Sequence, residues 1–356
     1  MKQTKLFLIL LVLSLILVGC TKEPEVPQTS TPVEPVQQQE QVQEQEQEQE
    51  QNMSVSRDGV DYYDKFGVVQ SEDTVTVVDS LDHEVTIPKQ PKKVAILYNS
   101  YLSLWDLMGG DVVAVVEQAD EKPVEGLDHA EVIGKPTDPN IEKILEIEPD
   151  FCVLTPVSAN KELAARLNEM GIPTIYMEGR KKDDYYKVVR LFSALLEDES
   201  MFEKYALDIE EEIQQILAKV PEAEPQKILL MMSTAKGVTV RNNQSLNGEM
   251  LADLHTVNIA DNAVSGDRSE VFSMEQIVQE DPDVIFVTEM GSDLEAIAQK
   301  RQEMLENDPV WGELSAVKNG RYHILPKDLF TYRPNQYYPE AYSILAKHLY
   351  PDIFGE

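Results

Sequence analysis

The sequence predicts an α/β protein of two Rossmann-like lobes, each with a largely parallel sheet, joined by a single long connecting helix. Three observations predict it. Short β-branched runs alternate with helical patterns along most of the 356 residues, the grammar of a sheet covered by helices. The segment NIEKILEIEPDFCVLT at 140–155 aligns without gaps on SMEQIVQEDPDVIFVT at 273–288, an offset of 133 residues, so one design is used twice. Between the copies, residues 183–220 keep the apolar spacing of a helix, from Tyr185 to Ile216, with an interruption expected near 197–200.

In chain order, Lys2 and Lys5 precede an apolar run from Leu6 to Val18, long enough for a signal-peptide core and short for a membrane span. Residues 1–19 are therefore expected to direct export. The run ends in Leu17-Val18-Gly19-Cys20, which resembles the lipobox of bacterial lipoproteins and implies acylation of Cys20. Prolines at 24, 27, 32 and 35 follow, and from Gln37 to Gln51 only Val42 is neither Gln nor Glu, so nothing here can form a core. Residues 20–73 are expected to be a solvated tether spanning roughly 40 Å as a flexible coil.

The N-terminal lobe, 74–182, opens with TVTVVD and HEVTIP around Ser80-Leu81-Asp82, the pattern of a β-hairpin. Strands are expected at 94–97, 112–117, 151–155 and 174–177, with a helix through Leu102, Trp105 and Met108 closed by Gly109-Gly110. The C-terminal lobe, 221–356, repeats the grammar with strands at 227–234, 284–288 and 322–326. In each copy of the repeat a short helix is expected to bury its apolar face, Ile141, Ile144 and Leu145 in one and Met274, Ile277 and Val278 in the other, before a Pro-Asp turn feeds a strand. Ser273 and Gln276 have capping-box spacing. Glu142 and Glu275 occupy the same place in the two copies, near a helix N-terminus where the macrodipole favours a carboxylate.

Charge and composition exclude several classes. Beyond the first 52 residues, 56 acidic face 28 basic residues, which argues against nucleic acid or anionic membrane as a binding partner of the folded part. Cys20 and Cys152 are the only cysteines, too few for a disulfide scaffold, and Cys152 falls in a buried strand pattern as an inert small hydrophobe. The five histidines lack ligand spacing, so no metal site is expected. No nucleophile elbow, phosphate loop or zinc-protease motif is present, and no catalytic residue is assigned.

From about Thr74 onward the chain resembles the substrate-binding lipoproteins of iron-complex and cobalamin ABC importers. The residues that carry this are VDSLDHEVTIPKQPKKVAIL, IGKPTDPNIEKILEIEPDFCVL, GIPTIYM, FSMEQIVQEDPDVIFV and WGELSAVKNGRYHILP, in that order. The resemblance implies a ligand cleft between the lobes and little lobe movement; with no catalytic motif in the chain, no enzymatic activity is expected, and no cofactor of its own. It implies further that Glu142 and Glu275 dock against arginines of a permease dimer. Pro136 and Ser269 stand where cobalamin binders carry an aromatic cradle, and Thr137 and Met290 stand where haem binders are expected to place their Met and His. Asp82 stands where glycine is frequent.

Ligand contacts are expected on loops leaving strand ends at the cleft: Tyr98 and Tyr101 in the first lobe, Arg241, Arg268, Tyr332 and Arg333 in the second. Arginine suits an anionic chelate through fixed charge and planar donors. The functional expectation is a monomeric, lipid-anchored protein on the extracytoplasmic face of the membrane that delivers a ferric siderophore to an ABC permease. A receptor of the same fold signalling to a membrane sensor, or a haem or cobalamin carrier, is the alternative, and a metal chelatase ranks third.

Overall fold

The computed structural model describes residues 65–118, 123–156, 161–261 and 273–355, with the short ladder strands Ser56–Arg57, Val60–Asp61 and Arg268–Ser269. The expected signal sequence, Cys20 and the Gln/Glu run lie outside the described residues. The folded part begins before Thr74, because Phe66 and Val68 are buried and strand β1 (Val68–Gln70) pairs with β2 (Thr74–Val78). β2 pairs in turn with β3 (Glu84–Pro88) in the expected hairpin. Its turn holds Asp82 at φ 61, the left-handed region that favours glycine and that a short polar side chain tolerates. Asp79 accepts the backbone N–H groups of Leu81 and His83 and closes the turn.

The first lobe is a parallel sheet in the order β8-β7-β4-β5-β6. Its strands are β4 (Val94–Ile96), β5 (Ala114–Val115), β6 (Glu131–Val132), β7 (Phe151–Leu154) and β8 (Thr174–Tyr176). β5 is shorter than the run 112–117 suggests, since only two residues find ladder partners. In the second lobe, β9 (Gln226–Thr234) is flanked on one side by β13 (Val284–Glu289) and β14 (Tyr322–Ile324), all parallel. On its other side β11 (Thr256–Asn258) runs parallel to its first half, and β10 (Gly237–Arg241) runs antiparallel to its second half, followed by β12 (Arg268–Ser269).

The sequence repeat is a structural repeat. Helices α2 (Ile141–Ile147) and α7 (Met274–Glu280) both end on a left-handed acidic residue, Glu148 and Asp281. Asp150 then accepts the backbone N–H groups of Lys92 and Lys93, and Asp283 accepts that of Lys227. Lys93 and Lys227 reach back 3.1 Å with their ammonium groups to the last carbonyls of the helices, Ile147 and Glu280 respectively. In each helix only the central isoleucine, Ile144 or Ile277, is fully buried; Ile141, Leu145 and Met274 are partly buried and Val278 is 40% exposed. A two-turn helix resting on a sheet points one position straight down.

α1 (Asn99–Leu107) and α3 (Lys161–Glu169) cover the first sheet. Between the lobes, α4 (Lys182–Leu196) is buried at ten positions from Tyr185 to Leu195. It runs through the interior, and one apolar cluster continues from Trp105 and Phe151 across Phe192 to Phe286 and Tyr342. The connector is interrupted as expected. Glu197 turns left-handed at φ 57, and the helix resumes through Glu199–Phe202 and the wide turn Glu203–Leu207 into α5 (Asp208–Leu217). Arg190, fully buried, pins the break by pairing with Glu199 at 2.7 Å and lying over the Phe202 ring. At the other end, Lys182 bridges Glu210 and Asp253 of α6 (Leu246–Asp253). Hinging the lobes would open this shared core, so the architecture resists large opening.

In the second lobe His323 of β14 stacks on His348 of α8 (Tyr338–Leu349), with ring centroids 3.9 Å apart. Burial, then His348 and Arg321, push the His323 imidazole down to about 4; burial and Arg321 hold His348 below its ordinary value. The His323 ring is therefore neutral in the fold at pH 6, whereas an unfolded histidine takes up a proton at about pH 6.5. Unfolding is then coupled to proton uptake, and stability is expected to fall as pH drops from about 6.5 through 4. Melting temperatures recorded across that window should show a shallower loss in His323→Phe than in the parent; equal slopes would remove the pair from the acid response.

Candidate functional site: a cavity between the lobes

A cavity of about 420 Å³ opens where the strands of both lobes end. Tyr98 follows β4, Thr155 follows β7 and Glu178–Arg180 follow β8 on one wall. Met232 near the end of β9, Arg241 at the end of β10 and Thr288 on β13 form much of the other, with Phe330, Thr331 and Arg333 beyond β14. Thr155 and Thr288 are twin positions of the internal repeat, each 1% exposed, one from each lobe. Duplication of a strand duplicates its C-terminal end, and the cleft is built on those ends.

Arg333 is the central cation. Its Nε and Nη2 donate to the backbone carbonyl of Gly179 at 3.1 and 2.8 Å, and Nη2 donates to that of Glu178 at 2.8 Å. The guanidinium lies 4.6 Å from the Tyr98 ring centroid and 5.0 Å from that of Tyr101. A residue of the second lobe is thus held by carbonyls and rings of the first. Its Nη1 donates to none of the described residues, and among them no carboxylate makes an ion pair with it. Its charge is left for the cavity.

Arg241 also lines the cavity, with Nη2 2.9 Å from the Met232 sulfur. The antiparallel register sets Arg268 directly opposite Arg241, although the Arg268 side chain lies outside the described residues. The third arginine of the lining is Arg180, which pairs with Glu178 at 3.0 Å. Sequence reasoning passed over it because Arg180-Lys181-Lys182-Asp183-Asp184 reads as the solvated start of a helix. Met232 faces the cavity while its neighbour Met231 is core, as alternation along a strand requires.

Two of the expected contacts are displaced. Tyr101 does not line the cavity: it sits on the inward side of α1, fully buried, behind Arg333. Burial pushes its phenol up to about 12 against the opposing effect of Arg333. Tyr332, two residues after a cavity-lining phenylalanine, turns away and takes the Lys327 ammonium over its ring at 5.6 Å. Among the described residues no cluster of three His, Cys, Asp or Glu could hold a metal ion. Cys152 is buried and its thiol is pushed up to about 12 by burial, so it has no reactivity at neutral pH.

Two lobes of repeated design, a through-running connector and a cleft at the strand ends describe a ligand carrier, and residues 94–329 match the family described as periplasmic binding protein. The chain belongs to the periplasmic binding protein family. It is a binding protein and not an enzyme. This periplasmic binding protein is 26% identical over 291 residues to an uncharacterized ABC transporter substrate-binding lipoprotein, YvrC, of Bacillus subtilis (strain 168), covering 79% of this chain and 87% of that one. It is 25% identical to the Fe(3+)-citrate-binding protein YfmC of the same organism, covering 74% and 82%. Its fold is shared with Staphylococcus aureus SirA complexed with staphyloferrin B, at a TM-score of 0.62 and 22% identity, over 77% of this chain and 98% of that one.

Away from the cavity, Glu142 and Glu275 lie exposed in the first turns of α2 and α7. Asn140 caps the first helix by accepting from Lys143 N–H, and Ser273 caps the second in a capping box with Gln276. Among the described residues neither glutamate is in an ion pair.

Proposed function

We propose that this periplasmic binding protein is an ABC-transporter substrate-binding lipoprotein that captures an anionic ferric complex, of the siderophore type, and presents it to a permease. The observation that carries the reading is Arg333: a half-buried cation with no carboxylate partner among the described residues, offering Nη1 to a cavity also lined by Arg180 and Arg241. Leaving such a charge uncompensated is costly, and an anionic ligand supplies the missing partner. The names of the relatives, one binding ferric citrate and another complexed with staphyloferrin B, point to the same chemistry. Thr137 and Met290, in the places where a haem ligand pair is expected, do not favour haem.

Ferric citrate, a ferric tris-catecholate, haem and cobalamin should be titrated in turn, following the visible spectrum and the quenching of Trp105 and Trp311. Ferric chelates are expected to bind most tightly. Arg241→Ala and Arg180→Ala should each weaken the cognate chelate by about 2 kcal/mol, roughly thirtyfold, through loss of a charge-assisted hydrogen bond. Added salt should change affinity little or raise it, because it screens the repulsive long-range field of the acidic surface more than the close contacts. Tight binding of haem or cobalamin with none of the chelates would reverse the assignment.

The anchor is part of the same proposal. Cys20→Ser should abolish lipid labelling and move the protein out of the membrane fraction, since a diacylated residue is what holds it there; continued membrane retention would rule the lipobox reading out.

A further inference from the structure

The segment Thr331–Asn335 crosses from one lobe to the other as a strap. Thr331 fastens it to the second lobe, its Oγ1 donating at 2.8 Å to the carbonyl of Glu289 at the end of β13. Two side chains fasten it to the first lobe. Arg333 forks onto Glu178 and Gly179, and Asn335 donates from Nδ2 at 2.8 Å to the carbonyl of Ser100 in α1. Asn335 is 3% exposed and does not line the cavity. It holds a left-handed backbone at φ 50, and its Oδ1 is buried without a hydrogen-bond partner among the described residues. An unusual backbone and an unsatisfied oxygen both cost stability, so the contact to Ser100 is retained against two local penalties.

Arg333 has a double allegiance. Two of its nitrogens are spent on the first lobe, while Nη1 remains for the cavity. Where Nη1 points is therefore decided by how the strap is tied down, and two residues further along the tie is Asn335. We propose that Asn335 is a positioning residue for ligand capture: it fixes the strap, the strap fixes Arg333, and Arg333 sets both the separation of the lobes and the direction from which an anionic group is held. The inference rests on the reading of this cavity as the site of an anionic ferric chelate. A strap tied at one point only would let the guanidinium meet the ligand in several orientations, and the lost preorganisation appears as faster dissociation.

The test uses the full chain carrying Cys20→Ser, with spin labels at Glu146→Cys and Gln279→Cys, exposed twin positions on α2 and α7. Cys152 is buried and stays unlabelled. Asn335→Gly removes the side chain while accepting the left-handed backbone. It is expected to broaden the interlobe distance distribution and to weaken ferric citrate, or whichever ferric chelate the parent binds, about tenfold, mainly through the dissociation rate. Combined with Arg333→Ala it should cost little more than Arg333→Ala alone, because both changes release the same strap; Arg333→Lys replaces that variant if it does not fold. A residue that only stabilises the fold would lower the melting temperature, leave dissociation unchanged and add fully to the arginine variant. Unchanged distances in Asn335→Gly, or full additivity, overturn the proposal. A parent that binds none of the chelates defeats the iron reading instead, and the distances in the free protein then decide the strap.

Discussion

Replacing Gly179 by alanine is expected to weaken ligand binding more than a hundredfold and to lower the melting temperature by several degrees. Gly179 has φ +59, where an alanine costs about 1–2 kcal/mol. A Cβ there would also collide with Nη2 of Arg333 and Oη of Tyr101. Neither can give way easily. Tyr101 is fully buried in the core, and the guanidinium is held by the carbonyls of Glu178 and of Gly179 itself. The collision therefore expels Arg333 from between the lobes, and with it hydrogen bonds to a charged group worth about 1.5–3 kcal/mol. Gly171→Ala is the control, because Gly171 has φ +84 and open space around its Cβ, so it carries the backbone cost alone. Melting curves and chelate titrations of the two variants separate the effects: both should lose stability and only Gly179→Ala should lose the ligand. Equal affinities would show that Arg333 has another way to reach the cavity.

The second large effect is on delivery. Glu142→Ala combined with Glu275→Ala should abolish uptake of the cognate chelate into cells while leaving its affinity for the purified protein unchanged. Each carboxylate projects from the first turn of an exposed two-turn helix whose caps, Asn140 and Ser273, are made by other residues. Their removal therefore costs the fold little, at most the 0.3–1 kcal/mol of a helix-end charge. A carboxylate meeting an arginine across a partly desolvated interface is worth roughly 2 kcal/mol or more when truncated, so losing one from each lobe should release the permease. Uptake equal to that of the parent would reduce the pair to helix-end electrostatics.

Legibility differed between elements for identifiable reasons. The hairpin, the main parallel strands of both lobes and the capped helix after Ser273 were readable because period-two and helical patterns and capping chemistry act over a few residues, whereas the short strands at 131–132, 237–241, 256–258 and 268–269 were not. The repeat also marked Thr155 and Thr288 as the last residues of matching strands, and both line the cavity. Arg180 gave no local signal, since a cavity-lining arginine in a charged stretch looks like any solvated one. Tyr101 and Tyr332 failed for the opposite reason: proximity to the right strand end does not say which way a side chain turns. Phe66 escaped notice because one aromatic ahead of a polar stretch has no periodicity to read.

The sequence by itself determined that this is a two-lobed α/β protein built on a duplicated unit, with a broken helical connector and a large excess of acidic residues. These follow from local propensities and from summed charge, which do not depend on how distant segments meet. Only the tertiary structure decided that α4 is buried through one continuous core, that three arginines share a cavity, and that Arg333 reaches across to Glu178 and Gly179, more than 150 residues earlier in the chain. Those facts depend on long-range packing and on side-chain direction, where a single hydrogen bond to a backbone carbonyl, invisible to any residue pattern, fixes what a charge can touch.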